Sequence, residues 1–481
     1  MAYKNTQQFI ASLEADGQLH RVSVEADPAL EITEIADRIS KNDGPSLLFE
    51  HVKDSSFPLF INAFGSYKRM QMTLNCNSFD EIGQKLDALL KLQPPTGFVD
   101  KIKMLFALKK MASLFPKKVR KAPCQDQVFG PDSDLLDMLP ILTCWPHDGG
   151  PFITLPIVIT KDPDNGIQNI GMYRMHKYDK STTGMHWQYN KDGNRHFDKY
   201  KRSGQRMDVA VALGGSPAVT YAATAPLPPD VDELILAGFI NSKAVEVVKA
   251  RTVDLYVPAE SDFVIEGYVD PDEERIEGPF GDHTGFYSPA DTYPVFHVTC
   301  ITCRNDAVYP ATIVGKPPME DCYMAKATER IFLPMIKMVV PEIVDMVLPM
   351  EGVFHNCALV SVDKKFPGQA KKVIHALWGL GQMSSTKFII VFDKDIDLTD
   401  SPTVVWKLLN NVDPKRDLVF SEGPLDALDH SAPYADFGGK MGIDATRKTR
   451  EEGMGREWPQ EIKMSDDIVD LVSKRWKDYG F

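Results

Sequence analysis

The run Pro294-Val-Phe-His-Val-Thr-Cys-Ile-Thr-Cys303 has the β-branched and aromatic content of a strand. It sits among similar runs. Between about 150 and 313, candidate strands recur at Ile153–Thr160, Gln168–Met175, Met207–Leu213, Ala218–Ala223, Asp262–Val269, Val295–Cys303 and Ala307–Val314, with one helical pattern at Val231–Ile240. Short strands separated by Gly and Pro turns predict a barrel or sandwich domain. The same strand disposes of the one CxxC pair. Cys300 and Cys303 are three apart, so they face opposite sides of the sheet, a poor geometry for a shared metal.

On either side the pattern changes. Upstream, Gln7–Leu13 and Leu30–Ile39 have helical apolar spacing, Ser46–Phe49 reads as extended, and Phe79–Leu92 as an amphipathic helix, before a Pro-Pro-Thr-Gly break at 94–97. Residues 98–121 then carry seven lysines and Arg120 against Asp100 alone, with apolar residues between them. Such a stretch suits contact with a membrane surface or an amphiphilic substrate; a helix packed on its own protein with a solvated lysine face is the competing reading. Downstream, helix Met324–Met338, strand Cys357–Val362, helix Gln369–Leu380, strand Lys387–Phe392 and helix Thr403–Leu409 alternate as in an α/β layer. The Gly-, Lys- and Asp-rich tail from about 430 is expected to wrap back on other elements. The sequence therefore predicts a multidomain α+β chain, consistent with a length of 481 residues, too long for one core.

Composition narrows the function classes. Hydrophobic content of 43% with 25% charged residues is that of a globular protein, and a net charge of −13 argues against a nucleic-acid-binding surface over the whole molecule. No apolar run is long enough to span a bilayer, and the first residues lack the pattern of a secretory signal. Seven scattered cysteines fit a reducing compartment, so a cytoplasmic location is expected.

The densest chemical signal is Glu277-Gly-Pro-Phe-Gly-Asp282-His283-Thr-Gly285. A rigid turn between two acids can hold both in one pocket, where neighbours push their pKa values apart. Glu277 as part of an acidic surface loop, following Asp272, Glu273 and Glu274, is the alternative. A second signal is Gln168-Asn169-Ile-Gly-Met-Tyr-Arg174. Arg174 could clamp a substrate carboxylate or pair with Glu277 and keep it ionised. On a flat strand Asn169 and Arg174 face opposite ways unless the chain bends near Gly171. His186 and His196, ten apart, match no recognised ligand spacing, and Glu233 is a lone carboxylate in an apolar segment. No Rossmann fingerprint, P-loop, HExxH or G-x-S-x-G motif occurs. From the residues alone the chain reads as an acid–base enzyme with an anion or metal site.

Taken together, these motifs resemble the UbiD family of 4-hydroxy-3-polyprenylbenzoate decarboxylases and their aryl and acrylic acid relatives. Further matches are Leu30-Glu-Ile-Thr-Glu-Ile-Ala-Asp37, Ala122-Pro-Cys-Gln125, Leu142-Thr-Cys-Trp-Pro146, Val211-Ala-Leu-Gly214, Ile265-Glu-Gly267 and Gly438-Gly-Lys-Met-Gly-Ile-Asp-Ala445. The quinone-biosynthesis branch looks nearest, because Asp282 is followed by His283. The resemblance implies an N-terminal α/β domain over 1–120, a flavin-binding split β-barrel over 121–318, and a C-terminal α/β oligomerisation domain over 319–481. It also implies a homo-oligomer, dimer or hexamer.

The implied cofactor is prenylated FMN from a separate flavin prenyltransferase, its phosphate bridged to protein by Mn²⁺ or Mg²⁺ and usually K⁺. By motif position Arg174, Glu277 and Asp282 resemble the catalytic residues, and Asn169 and Glu233 two of the metal ligands. Ile170, Met172, Ala223, Thr224 and Ala225 resemble backbone contacts to flavin or metal, and Lys440 the lysine that reaches the cofactor phosphate. Counting from Arg174, the third metal ligand, a histidine in the family, falls at Asn190; an amide oxygen also suits Mn²⁺ or Mg²⁺. The implied reaction is the reversible, non-oxidative decarboxylation of an aromatic acid, of 4-hydroxybenzoate type with or without a polyprenyl tail. Side-chain acid–base catalysis, worth roughly 10²–10⁴-fold, cannot stabilise the in-plane anion left when CO₂ departs an sp² carbon, so a cofactor must supply the electron sink. A flavin- or metal-binding homologue without this activity, or an enzyme for a small phenolic or acrylic acid, are the other readings.

Overall fold

The structure is a computed structural model, and it describes residues 2–91, 111–188 and 191–481. At its centre lies an antiparallel seven-stranded sheet. Its pairing runs Thr182–Gly184, Asp291–Cys303, Phe263–Glu277, Met207–Leu213, Ile157–Lys161 and Gln168–Met172, with Gln127–Phe129 added beside Asp291–Cys303. Both faces of this sheet are covered. Ile157, Ile159, Ala210 and Ala212 pack towards the helices Thr6–Ala15 and Glu233–Asn241, while Val158, Val209, Val211 and Leu213 pack towards Leu47, Phe49, Leu59 and Ile61. A strand buried on both faces has no polar alternation, which is why Val209–Leu213 reads as an unbroken apolar run.

The N-terminal sheet has the order Leu19–Val22, Ser46–Phe49, Leu59–Ile61, Tyr309–Pro310. Its last strand comes from far down the chain, so Ala307–Val314 is not a strand of the central sheet. The helix Phe79–Leu90 packs against Glu320–Val339. The C-terminal sheet runs Ile343–Val347, Cys357–Val362, Phe388–Asp393, Phe437–Asp444, Leu418–Pro424, the middle three parallel. Helix Gln369–Trp378 packs on it through Val373, Ile374 and Leu377.

Several elements differ from the sequence expectation. Residues 218–223 form no strand: Pro217–Ala222 is a helix with proline in its first turn, entirely buried, so no amphipathic period betrays it. Asp192–Ser203 is a second helix in the β-rich region, silent in the pattern because only Gly193, His196 and Phe197 are buried. Of the basic stretch 98–121, residues 98–110 lie outside the described residues. The remainder is not a continuous helix, since Lys117–Val119 is a strand parallel to Glu246–Lys249. The tail returns as the inner strand Phe437–Asp444, but from 459 to 481 every residue except the half-buried Val472 is exposed. Helix Asp466–Lys474 buries nothing, so the wrapping stops short of it. Cys300 and Cys303 lie in Asp291–Cys303 as buried free thiols, and burial lifts both to about 11.

Candidate active site

Arg174 stands where the chain leaves the central sheet, between the strands Gln168–Met172 and Met175–His176. That departure removes the facing problem between Asn169 and Arg174, because the two do not share a strand. The guanidinium then reaches three partners. Its Nε donates to Glu277 Oε1 at 3.0 Å, Nη1 to Asp282 Oδ2, and Nη2 to Ser288 Oγ at 3.1 Å. The Phe280 ring lies 4.6 Å from its central carbon.

Both acids are held by the turn that the sequence suggested. Glu277 ends the long strand Phe263–Glu277, and Phe280–Gly281 pairs with Tyr287–Ser288, which brings Asp282 and Ser288 to the same guanidinium. Asp148 fixes the turn from outside: its carboxylate accepts from the Gly281 amide at 2.8 Å and the Trp145 amide at 2.9 Å. A Cβ at Gly281 would lie 2.2 Å from Trp145 Cδ1, so the close approach requires glycine.

Glu277 is the most enclosed member of the group, its side chain 0% exposed beside a 12% exposed Arg174. Oε1 also meets His186 Nδ1 at 2.8 Å, whereas Oε2 has no hydrogen-bond partner among the described residues. Burial alone would raise its carboxyl pKa, but His186 and Arg174 outweigh burial and hold it below the ordinary carboxylate range. Asp282 is lowered as well. Burial again opposes, and the His283 hydrogen bond and the Arg174 charge prevail. His283 Nδ1 lies 2.9 Å from Asp282 Oδ1, which also accepts from the His283 amide at 2.8 Å.

A second group lies along the free edge of Gln168–Met172. The Ile170 amide donates to Glu233 Oε2 at 2.9 Å, and the Met172 amide to the Ala223 carbonyl at 3.1 Å. Thr224 turns its hydroxyl to the Tyr221 carbonyl at 2.7 Å. Asn169 presents its amide to Glu233. In one orientation nitrogen donates to Oε1 at 3.2 Å; in the other, two acceptor oxygens face each other, an arrangement that a cation between them would satisfy. Burial pushes the Glu233 carboxyl up to about 8, the mark of a carboxylate lacking countercharge. Hard oxygen donors beside an uncompensated buried acid fit Mg²⁺ or Mn²⁺. Asn190 lies outside the described residues.

Lys440 is elsewhere. Its ammonium donates to the Ser384 carbonyl within the C-terminal layer and stands 6.0 Å from the Trp378 ring. No hydrogen bond or ion pair joins it to either group among the described residues. His196 is likewise apart: it is buried against Thr160 Oγ1 at 2.9 Å and anchors helix Asp192–Ser203 to the sheet. The sequence reading did not identify His186 as the partner of Glu277, nor Ser288 or Asp148. Of these only His186 carried a signal, as one of the two histidines, His186 and His196, weighed as ligands.

Three family profiles match in order. They are the N-terminal domain of 3-octaprenyl-4-hydroxybenzoate carboxy-lyase over residues 10–86, its Rift-related domain over 117–317, and its C-terminal domain over 322–445. An uncharacterized protein of Archaeoglobus fulgidus is 50% identical over 480 residues, covering 99% of each chain. Among solved structures, the UbiD-class enzyme HmfF of Pelotomaculum thermopropionicum, in complex with FMN, is 28% identical with a TM-score of 0.81 over 99% of this chain and 100% of that one. An evolved dimeric form of it was solved with prFMN. The closed form of vanillic acid decarboxylase from Sedimentibacter hydroxybenzoicus is 26% identical and covers 100% of both chains with a TM-score of 0.86, against 0.79 for its open form. With all three domains matched in order, the chain belongs to the UbiD family and is a carboxy-lyase of that class.

Proposed function

We propose that the protein decarboxylates an aromatic acid of 4-hydroxybenzoate type, reversibly and without net oxidation, using prenylated FMN and a divalent cation. The observation that carries this reading is the single, largely enclosed guanidinium of Arg174 shared by Glu277, Asp282 and Ser288. Three of the five N–H donors of Arg174 are engaged, which leaves two for a substrate carboxylate. Oε2 of Glu277 is the oxygen left to handle a proton, since both oxygens of Asp282 are occupied by His283 and Arg174. Glu277, which rests as a carboxylate, is therefore assigned as the group that takes up a proton on Oε2 and passes it to the carbon that lost CO₂, returning to the carboxylate form, with His186 orienting it. Asp282 orients Arg174.

When bound, the prenylated flavin would supply the electron sink that side chains lack. Asn169 and Glu233, with Asn190, would hold Mn²⁺ or Mg²⁺ at its phosphate, with K⁺ as a further ion. The edge from Ile170 to Met172 and the segment Ala223, Thr224, Ala225 would border the flavin. Lys440 is left out of this assignment because its ammonium is turned to Ser384. The higher likeness to the closed form of vanillic acid decarboxylase favours a closed arrangement of the domains.

A freely diffusing acid is favoured over one presented at a membrane. The described end of the basic stretch packs on its own chain: Leu114 is buried, Lys118 lies over Tyr256, and Lys117 pairs with Glu246. No helix among the described residues is long and apolar enough to cross a membrane. Apolar side chains exposed on the tail, such as Ile462, Trp476 and Phe481, support assembly into a homo-oligomer.

The test is co-expression with a flavin prenyltransferase, followed by absorbance and mass spectra of the released cofactor, metal analysis, and turnover of hydroxybenzoates with and without prenyl substituents. Prenylated FMN with a divalent metal and turnover of an unprenylated acid is the expected result. A folded protein without flavin or metal would overturn it.

A further inference from the structure

The contact between the motif turn and the C-terminal domain has a consequence for Asp282. His283 meets Asp282 through Nδ1 and, through Nε2, meets Nε2 of His355 at 2.8 Å. His355 belongs to the C-terminal layer and follows the short turn Met350–Gly352. Val353 and Phe354 both adopt left-handed backbone, φ 44° and 51°. Neither is a residue that favours this region, so the surrounding structure must enforce it. What it delivers is Phe354, stacked at 5.3 Å on the His283 ring, and the His355 nitrogen at its edge. We infer that His355 is a positioning residue that acts on Asp282 through His283, so that the acid is correctly held only when the C-terminal domain is docked.

Donor bookkeeping gives the link its character. With Nδ1–H of His283 directed at the Asp282 carboxylate, its Nε2 can accept from a neutral His355, or donate to it if His283 carries the charge. One proton between the two nitrogens is required, and two cannot fit, because the second would set two N–H bonds head to head. Burial keeps the His355 imidazole below its ordinary range, while for His283 burial is outweighed by the Asp282 hydrogen bond and charge, which raise it. The other charged groups facing the pair are Asp321, Asp426 and Asp429. Acidification that charges both rings therefore breaks the His283–His355 contact, leaving His283 on Asp282 without its brace from the C-terminal domain.

The inference rests on the proposed decarboxylation for its kinetic arm only. In the cofactor-loaded enzyme with ¹⁵N-labelled histidine, a scalar coupling across the N–H···N contact is expected at neutral pH, lost on acidification together with turnover. His355→Phe, which keeps a ring and removes the nitrogen, should cut turnover by roughly 10-fold or more at unchanged flavin content. His355→Gln keeps a donor of similar reach that does not titrate. It should recover most of the neutral-pH rate and move the acid limb of the pH profile to lower pH. Absence of the coupling in the unaltered protein overturns the inference, as does a His355→Phe enzyme with the normal rate and acid limb. If no aromatic acid is turned over, the functional reading fails while the coupling still decides the contact. If His355→Phe does not fold, the coupling and His355→Gln decide it.

Discussion

Arg174 Nε and Glu277 are joined at one oxygen only: Oε1, 3.0 Å from the guanidinium, is also the oxygen His186 approaches at 2.8 Å, and Oε2 is buried with no partner among the described residues. A buried carboxylate oxygen without a donor is costly in a protein built for stability alone. Here it faces Gly184 and Tyr178, where a Cβ on the glycine would come within 3.0 Å of it. The space is kept open by the one residue type that leaves it free, as expected of an oxygen reserved for a reacting group.

Glu277→Gln removes the proton-carrying oxygen while keeping shape and the Oε1 contact. Turnover, and exchange of deuterium into the substrate carbon, should fall by about 10³-fold, within the range for a lost acid–base group. Flavin content, read from the visible spectrum, should be unchanged; retained activity would remove Glu277 from the reaction.

The lowered Glu277 pKa has a stability signature. A group whose folded-state pKa lies below its ordinary value of 4.5 contributes stability that is complete above that value and lost as pH falls through the folded-state pKa. Asp282 acts in the same sense from its ordinary 3.8. Urea midpoints measured from neutral pH down to acid should therefore fall more steeply below pH 4.5 in the unaltered protein than in Glu277→Gln.

Glu233 has the opposite sign. Burial raises its pKa to about 8, so without a cation it is a burden to the fold at high pH. Mn²⁺ should raise the Tm of the unaltered protein and leave that of Glu233→Gln unmoved, since only a ligand bound by the native state stabilises it. In chelator at alkaline pH the variant should be at least as stable as the parent. A Glu233→Gln protein that still gains stability from Mn²⁺ would dismiss this carboxylate as a ligand.

Gly281→Ala would drive a methyl group to 2.2 Å from Trp145 Cδ1 and displace the turn between the two acids. A loss of about 1–3 kcal/mol is expected, with activity falling further than stability. Gly439→Ala, at an exposed position with nothing within 4 Å, serves as the control and should change stability by less than about 0.5 kcal/mol. Thermal unfolding and turnover of the two variants check both.

Short apolar runs bounded by polar and turn residues were legible in the sequence to the residue, as at Ser46–Phe49, Met207–Leu213 and Cys357–Val362. Pro217–Ala222 was not, because a helix buried on every side offers no contrast between faces, and its β-branched Val219 and Thr220 imitate a strand. In the site, Arg174, Glu277 and Asp282 were legible because the local turn chemistry of the Glu277–Gly285 motif draws attention to itself. His186 and His355 were not. They reach their partners across 91 and 72 residues, and no local spacing records such a meeting.

The strand Tyr309–Pro310 closes the N-terminal sheet beside Leu59–Ile61. During synthesis the first sheet must therefore wait for some 250 further residues before its last strand leaves the ribosome, and the intervening central domain is made first. Loop closure over that span adds little to the equilibrium cost but delays the contact. The N-terminal segment is thus a late-maturing part of the molecule despite being born first, exposed to chaperones and to misassembly until the end of the central domain folds back to meet it.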